Sequence, residues 1–304
     1  MRKKESFLFK MNSVIRYFKN KLNDGMSNSK GMNYSPSSFL FPPSSSILSF
    51  LLLLTSCEKD INIDYHQVAP LYVVEASVSN NGTEVRVSRT NAMDDNNGIS
   101  DINDAKVTLS ADNGQKWDIP FSRNGFYRSP SLRGEAGTTY TIDVSLDGQH
   151  FTSTSTMQRT PTLNRFRFVW MKVASERIMF GDLRLQDIPN EDSWYFMHIY
   201  RNGIGYRWAV MRDDQNPNKE LQQLFTFFRE GSNDNDVLQE GDHLYIEIRS
   251  IDQRAYDYLY SMQIMDNTGT NPIPNFTGGC LGYFSAYHQI TYNCTYHEAD
   301  VEED

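Results

Sequence analysis

The chain has 304 residues, 39% hydrophobic and 13% aromatic, enough to bury one large core or two smaller ones, so wholesale disorder is excluded. Eight basic and two acidic residues precede Ser56, and from Cys57 onward 21 basic residues face 36 acidic ones, a formal net charge of −15. A body this negative repels phosphate backbones, and with no local basic patch to offset it, nucleic-acid partners are not expected.

The first informative segment is the apolar run Ile47-Leu48-Ser49-Phe50-Leu51-Leu52-Leu53-Leu54. A bilayer-spanning helix needs about 20 apolar residues, so this run cannot be a permanent span. Its length suits the hydrophobic region of a secretory signal, typically ~7–15 residues ending in small side chains. Leu54-Thr55-Ser56-Cys57 follows directly and resembles the bacterial lipobox, in which cleavage makes the cysteine a lipid-modified N-terminus. Residues 1–56 therefore read as a leader outside the fold. It is long for a bacterial signal, and initiation at Met26 or Met32 would shorten it. Each buried acyl CH₂ contributes ~0.8 kcal/mol and one chain holds only marginally, so stable tethering through Cys57 calls for multiple acylation, with palmitate among the expected chains. Residues 57–69 are polar and form the tether.

From Leu71 to Met157 apolar residues recur with period two, the spacing of half-buried strands. Val74, Ala76 and Val78 alternate with Glu75, Ser77 and Ser79; Val85 and Val87, then Ala105, Val107 and Leu109, then Tyr140, Ile142, Val144 and Leu146 do the same. Between them lie Asn80-Asn81-Gly82, Asp112-Asn113-Gly114, Asn124-Gly125 and Asp147-Gly148, sequences that favour tight hairpin turns. About seven strands at this spacing predict an immunoglobulin-like antiparallel β-sandwich over residues 70–159.

Thr160-Pro161-Thr162 reads as the joint to a second β-rich domain over 160–298, ahead of an acidic tail at 299–304. Its predicted strands include Arg165–Phe168, Trp194–Tyr200, Tyr206–Val210 and Leu244–Ile248, with Asn202-Gly203 as a hairpin turn and exposed loops at Gln215–Asn218 and Gly231–Asp236. One short amphipathic helix is expected, because Ile251, Ala255, Tyr258, Leu259 and Met262 form a helical stripe, with Ser250 and Gln253 as its capping pattern. That stripe is expected to pack on a sheet rather than to contact a ligand. After Pro272 and Pro274, Gly278-Gly279-Cys280-Leu281-Gly282 leads into a final strand pair ending near Tyr296.

With Cys57 assigned to lipid, Cys280 and Cys294 remain, and an even pair in an exported protein is a candidate disulfide. The alternative is two independent thiols on neighbouring strands. Cys280, His288, Cys294 and His297 lack the close paired spacing of a zinc finger or ribbon, so no metal is expected there.

No Gly-x-Ser-x-Gly elbow, His-Glu-x-x-His motif or Walker-type loop occurs, the six histidines are scattered, and no catalytic residue or cofactor is indicated. His198, between Met197 and Ile199, fits a structural histidine in a strand. Asp94-Asp95-Asn96-Asn97-Gly98, with Asp101 and Asp104, could offer oxygens to Ca²⁺, but Gly98 falls one position early for an EF-hand, and a solvated acidic loop is the better reading. Carboxylate pairs for glycan or peptide hydrolysis remain an alternative. Among the aromatics, Trp194, Tyr206 and Trp208 are the candidate ligand-binding platform.

The lipobox with its acidic follow-on, Leu71-Tyr72-Val73-Val74-Glu75-Ala76, Ala105–Leu109, Asn124-Gly125-Phe126-Tyr127, the helix Tyr256-Asp257-Tyr258-Leu259 and Gly278–Ala286 together resemble domain-of-unknown-function family 4249 over nearly all of the mature chain. The resemblance implies a Bacteroidota envelope lipoprotein, lipid-anchored at the outer membrane and encoded near TonB-dependent transporters. It implies no established activity and carries over no catalytic residue. The expectation is a non-enzymatic accessory or binding component of such a transporter, for nutrient capture or complex assembly. A surface adhesin is the main alternative.

Overall fold

Hydrophobic alternation along strand after strand builds a mainly β protein. The structure, a computed structural model, describes residues 70–91, 100–189, 191–213, 220–230, 237–268 and 272–304. Cys57, residues 94–98 and the expected loops at 215–218 and 231–236 lie outside these.

Seventeen strands and one α-helix are described. The first half contains β1 (Tyr72–Ser79), β2 (Gly82–Arg89), β3 (Ser100–Asp101), β4 (Lys106–Ala111), β5 (Lys116–Asp118), β6 (Phe121–Arg123), β7 (Phe126–Ser129), β8 (Thr139–Leu146) and β9 (Gln149–Thr156). The second contains β10 (Leu163–Val173), β11 (Glu176–Leu185), β12 (Trp194–Arg201), β13 (Ile204–Arg212), β14 (Leu221–Arg229), β15 (His243–Ile251), helix α1 (Gln253–Thr268), β16 (Leu281–Thr295) and β17 (Glu302–Glu303). The four turn sequences of the first half fall between β1 and β2, β4 and β5, β6 and β7, and β8 and β9. Asn202 and Gly203 both take positive φ, 50° and 84°, as a two-residue type I′ hairpin turn between β12 and β13 requires.

One nine-stranded sheet runs β13-β12-β15-β16-β1-β2-β7-β6, with β3 attached to β2. Pairings are antiparallel except β1 with β16 and β10 with β17. Two four-stranded sheets, β5-β4-β8-β9 and β14-β11-β10-β17, complete the architecture. Val74, Ala76, Val85, Val87 and Phe284 from the long sheet join Val107, Leu109, Ile142, Val144 and Phe151 in the first core. Met197, Ile199, Ile246 and Ile248 join Phe168, Leu183, Leu185 and Phe225 in the second. A fully buried side chain such as Phe284 contributes about 1.5–3 kcal/mol.

β16 ties the halves together. Its first seven residues pair with β1 and its last eight with β15, so the strand changes partner at Tyr287 and His288. Even-numbered residues of β16 face the cores throughout: Phe284 and Ala286 enter the first, Ile290, Tyr292 and Cys294 border the second. Both four-stranded sheets therefore cover the same face of the long sheet, and its other face is left for α1 and a polar population.

Three expectations are corrected here. Residues 276–286, placed by sequence in the second domain, pack in the first core through Phe276, Cys280, Phe284 and Ala286. The expected final strand pair is one 15-residue strand. Cys280 and Cys294 are both free, because β16 runs between them. Fourteen extended residues span about 46 Å, whereas a disulfide needs Cα atoms roughly 4.4–6.8 Å apart. Burial raises the two thiols to about 12 and about 11, keeping both protonated.

The helix forms where its apolar stripe predicts, with Ala255, Tyr258 and Leu259 buried. Its cap is Asp252 rather than Ser250: Asp252 Oδ1 accepts the Ala255 N–H at 2.9 Å and Oδ2 accepts the Thr156 N–H at 3.0 Å, pinning the helix start to the end of β9. Ser250 Oγ instead donates to the Arg159 carbonyl. Among the described residues no helix is long and apolar enough to cross a membrane.

Candidate functional site

Odd-numbered residues of β16 and their cross-strand partners define the second face of the nine-stranded sheet. Register places Trp208, Phe196, His198, Tyr200, Tyr245, Glu247 and Arg249 on it from the β13 side. Gln289, Tyr287, Ser285 and Tyr283 continue it along β16, and Glu75, Arg86 and Phe126 carry it across β1, β2 and β7. The opposite face of every one of these strands is apolar core, so the alternation that builds the sandwich also sorts charge and aromatic rings onto one surface.

The candidate aromatics are only partly assembled. Trp208 lies opposite His198 with its ring 6.0 Å from that of Phe196. Trp194 shares this face but sits four residues along β12 from His198, about 13 Å away along the strand. Tyr206 faces the other way: a register shift between Ile199 and Tyr200 leaves it unpaired, and it stacks on Phe227 at 5.8 Å beside the second core. The three residues therefore form no single platform.

The centre of the face is Arg249. Its Nη2 donates to Glu247 Oε2 at 2.6 Å and its Nε to Gln289 Oε1 at 3.2 Å, while its guanidinium carbon lies 4.7 Å from the Tyr287 ring centre and 5.2 Å from that of Phe196. Tyr200 Oη donates to Glu247 Oε2 at 3.4 Å. Burial works against the Arg249 charge, but Tyr287, Glu247 and the neighbouring tyrosines outweigh it and hold the guanidinium above its ordinary range. Burial also raises Tyr200 and Tyr283, so both hydroxyls stay protonated. His198 is buried with its ring 4.1 Å from Tyr200, a packed histidine as its place in the strand suggested.

Across the β16/β1 seam, Glu75 pairs with Tyr283 on one side and Arg86 on the other. Burial raises the Glu75 carboxyl to about 8; Arg86 lowers it in part and Glu84 adds to the rise. Tyr258 of α1 stacks on Tyr283 at 5.0 Å, and burial raises its hydroxyl. Arg86 bonds Asp101 at 3.1 Å, so Asp101 serves an ion pair. Ser285 Oγ, in a residue 1% exposed, has no hydrogen-bond partner. Chemically, the centre of the face is a guanidinium already paired with Glu247 and Gln289 among buried, neutral tyrosines, beside a carboxyl protonated at neutral pH, and its more accessible aromatic surfaces are half-buried Trp208 and Tyr245.

The Glu75 shift has a thermodynamic consequence. The folded state holds this proton more tightly than the unfolded state, whose value is about 4.5, so the group's stabilising contribution is full below that value and is lost as pH rises to about 8. The melting temperature of wild type relative to Glu75→Gln is expected to fall from pH 5 to pH 8 and then level off. A difference that stays flat across that window would refute the assignment.

Sequence reading missed Arg249, Glu247, Tyr283, Tyr287 and Glu75 as a group. Each lies at the polar beat of an alternating strand, and only the sheet order brings them together. Among the described residues no three His, Cys, Asp or Glu side chains come together as metal ligands.

The family model for DUF4249, described as a domain of unknown function, matches residues 58–293. The chain belongs to this family. The match covers the whole candidate face, all of β16 but its last two residues, and both cores apart from Cys294, Tyr296 and Val301 of the second. No curated protein matches the chain. Among solved structures it is similar to the two fibronectin type-III domain segment from chicken tenascin, with 14% identity over 75% of this chain and 100% of that one and a TM-score of 0.21.

Proposed function

We propose that this DUF4249 member is a lipid-anchored outer-membrane protein whose paired β-sandwiches serve as a non-enzymatic binding or assembly module beside a TonB-dependent transporter. The observation that carries the reading is the apolar run 47–54 entering Leu54-Thr55-Ser56-Cys57 without a break. The rim of the sheet face supports it, since half-buried Trp208 and Tyr245 offer aromatic contact area for a ligand or protein partner while Arg249 and the buried tyrosines hold that rim in place. The acidic body favours contact through such local chemistry over diffuse attraction to anionic lipid.

Intact mass of the N-terminal peptide from native membranes tests the anchor. Diacylglyceryl and acyl mass on Cys57, absent in Cys57→Ala together with release of the protein from the membrane fraction, is the expected result. An unmodified chain still carrying residues 1–56 would refute it. Affinity purification from the same membranes tests the partner: a co-purifying transporter supports the accessory role, and retention on cells or matrix without one supports the adhesin.

A further inference from the structure

Strand β10 pairs with β11 from Leu163 to Val173, but its other edge is sparsely covered. The strand partner there is β17, in parallel register at two positions, Val169 with Glu302 and Trp170 with Glu303. Asp304 adds one bond, its N–H donating to the Trp170 carbonyl at 3.1 Å. Of the eleven residues of β10, the other nine have no strand partner on this side among the described residues. Such an edge presents a row of backbone donors and acceptors with which another chain can pair.

Positive charge is built into this edge of an otherwise acidic body. Asp182, 1% exposed, accepts from Arg184 at 2.8 Å, Gln222 at 2.8 Å and Arg167 Nε at 3.2 Å. A buried carboxylate thus fixes the Arg167 side chain and leaves its Nη1 to bond Glu302. Arg177 lies 4.2 Å from the Trp170 ring centre and bonds Glu303. Arg165, two residues before Arg167 and on the same face, is 49% exposed at the side chain, and the carboxylate near it, that of Asp182, is 3.8 Å away.

The present occupant of the edge is lightly held. Glu302 and Glu303 are 53% and 68% exposed at the side chain, no residue of 297–304 is buried, and of these only Val301 borders a core. A 3₁₀ turn at Glu298–Asp300 ends the extended run, so the segment does not pair with the stretch that carries Arg165. Exposed ion pairs of this kind contribute little and are screened by salt.

We propose that the β10 edge is a docking site for an extended, acidic segment of a partner protein, added as a parallel strand, and that β17 is the chain's own stand-in, displaced on docking. An occupant that stays extended upstream of the Glu302 position brings side chains at alternate residues beside Arg167 and Arg165, contacts that β17 leaves incomplete. Backbone pairing holds the segment and the arginines select for acids. The inference depends neither on lipid anchoring nor on the face centred on Arg249.

The test uses the full chain and a fluorescent peptide of about ten alternating glutamate and valine residues, a length matched to β10. Glu302→Lys with Glu303→Lys turns the tail against Arg167 and Arg177, and at low salt this variant is expected to bind the probe about tenfold more tightly than wild type. Adding Arg165→Gln to it is expected to weaken binding about threefold. The lysine–valine counterpart of the probe is expected to bind none of these chains. In wild type, saturating probe is expected to move the Asp304 amide NMR signal to its unstructured position, a readout of displacement that needs no substitution. Equal affinity in wild type and the double-lysine variant, equal binding of the lysine–valine peptide, or an Asp304 signal unmoved at saturation would overturn the proposal. So would a double-lysine variant that self-associates instead of taking up the probe, because the occupant would then be a second copy of this chain.

Discussion

Arg249→Met is expected to lower the unfolding free energy by about 3–5 kcal/mol, among the largest effects of any single substitution on this sheet face. The size follows from what the change leaves behind. Glu247 is 8% exposed and Arg249 14% at the side chain, so removing the guanidinium strands a carboxylate that keeps the Tyr200 hydroxyl at 3.4 Å. Two ring contacts, with Tyr287 and Phe196, are lost as well. Arg249→Met combined with Glu247→Leu is expected to recover most of the loss, because replacing both ions with apolar groups removes the desolvation penalty with the attraction. Arg89→Met is the contrast: its partner Asp147 is 57% exposed and Arg89 itself 40%, and such a pair contributes about 1 kcal/mol or less. Urea unfolding with an unchanged slope measures all three. A cost for Arg249→Met no greater than that for Arg89→Met would mean that the Glu247–Arg249 pair is solvated, and the face would lose its claim to a buried polar centre.

How legible this arrangement was depended on whether the deciding interaction was local. The β1–β2 alternation, the Asn202-Gly203 turn and the helical stripe at 255–259 are all fixed within a few residues, and each stands where the sequence puts it. β11 and β14 carry no clear strand pattern in the sequence, because Asp182, Arg184, Gln222 and Gln223 break their apolar runs and Gly181 interrupts the first of them. The hub that makes Asp182 sense, with Arg167 on β10 and Gln222 on β14, exists only after three strands pair. β16 shows the same limit at a larger scale. Fifteen residues is long for a strand, and its change of partner from β1 to β15 is set by chain segments some 40 and 200 residues away. The polar centre was hidden for a related reason: Glu75, Glu247 and Arg249 alternate with buried residues as solvent-facing side chains do, and nothing local marks the second face as crowded by α1 and by the tyrosines of its neighbours.

Gly282→Ala is the second substitution expected to be severe, at about 3 kcal/mol or more. Gly282 pairs with Val74 in the parallel seam that joins the two halves, at φ 101°. A Cβ there would lie 2.0 Å from the Val74 carbonyl oxygen and 2.7 Å from its carbonyl carbon, both backbone atoms of a fully buried residue that cannot swing aside as a side-chain tip can. Gly279→Ala separates this clash from the dihedral cost alone. Gly279 also has positive φ, 86°, but a Cβ would meet nothing within 4 Å, so about 1–2 kcal/mol is expected. The gap between the two in urea midpoint reads the backbone approach directly. Because Gly282 precedes Tyr283, whose cross-strand neighbour is Glu75, pushing the seam apart also opens that carboxyl to water. The fall in stability from pH 5 to pH 8 attributed to Glu75 is therefore expected to shrink in Gly282→Ala and to persist in Gly279→Ala. Equal costs for the two alanines would show that β16 can shift away from β1, and the seam would no longer be what fixes the Glu75 end of the face.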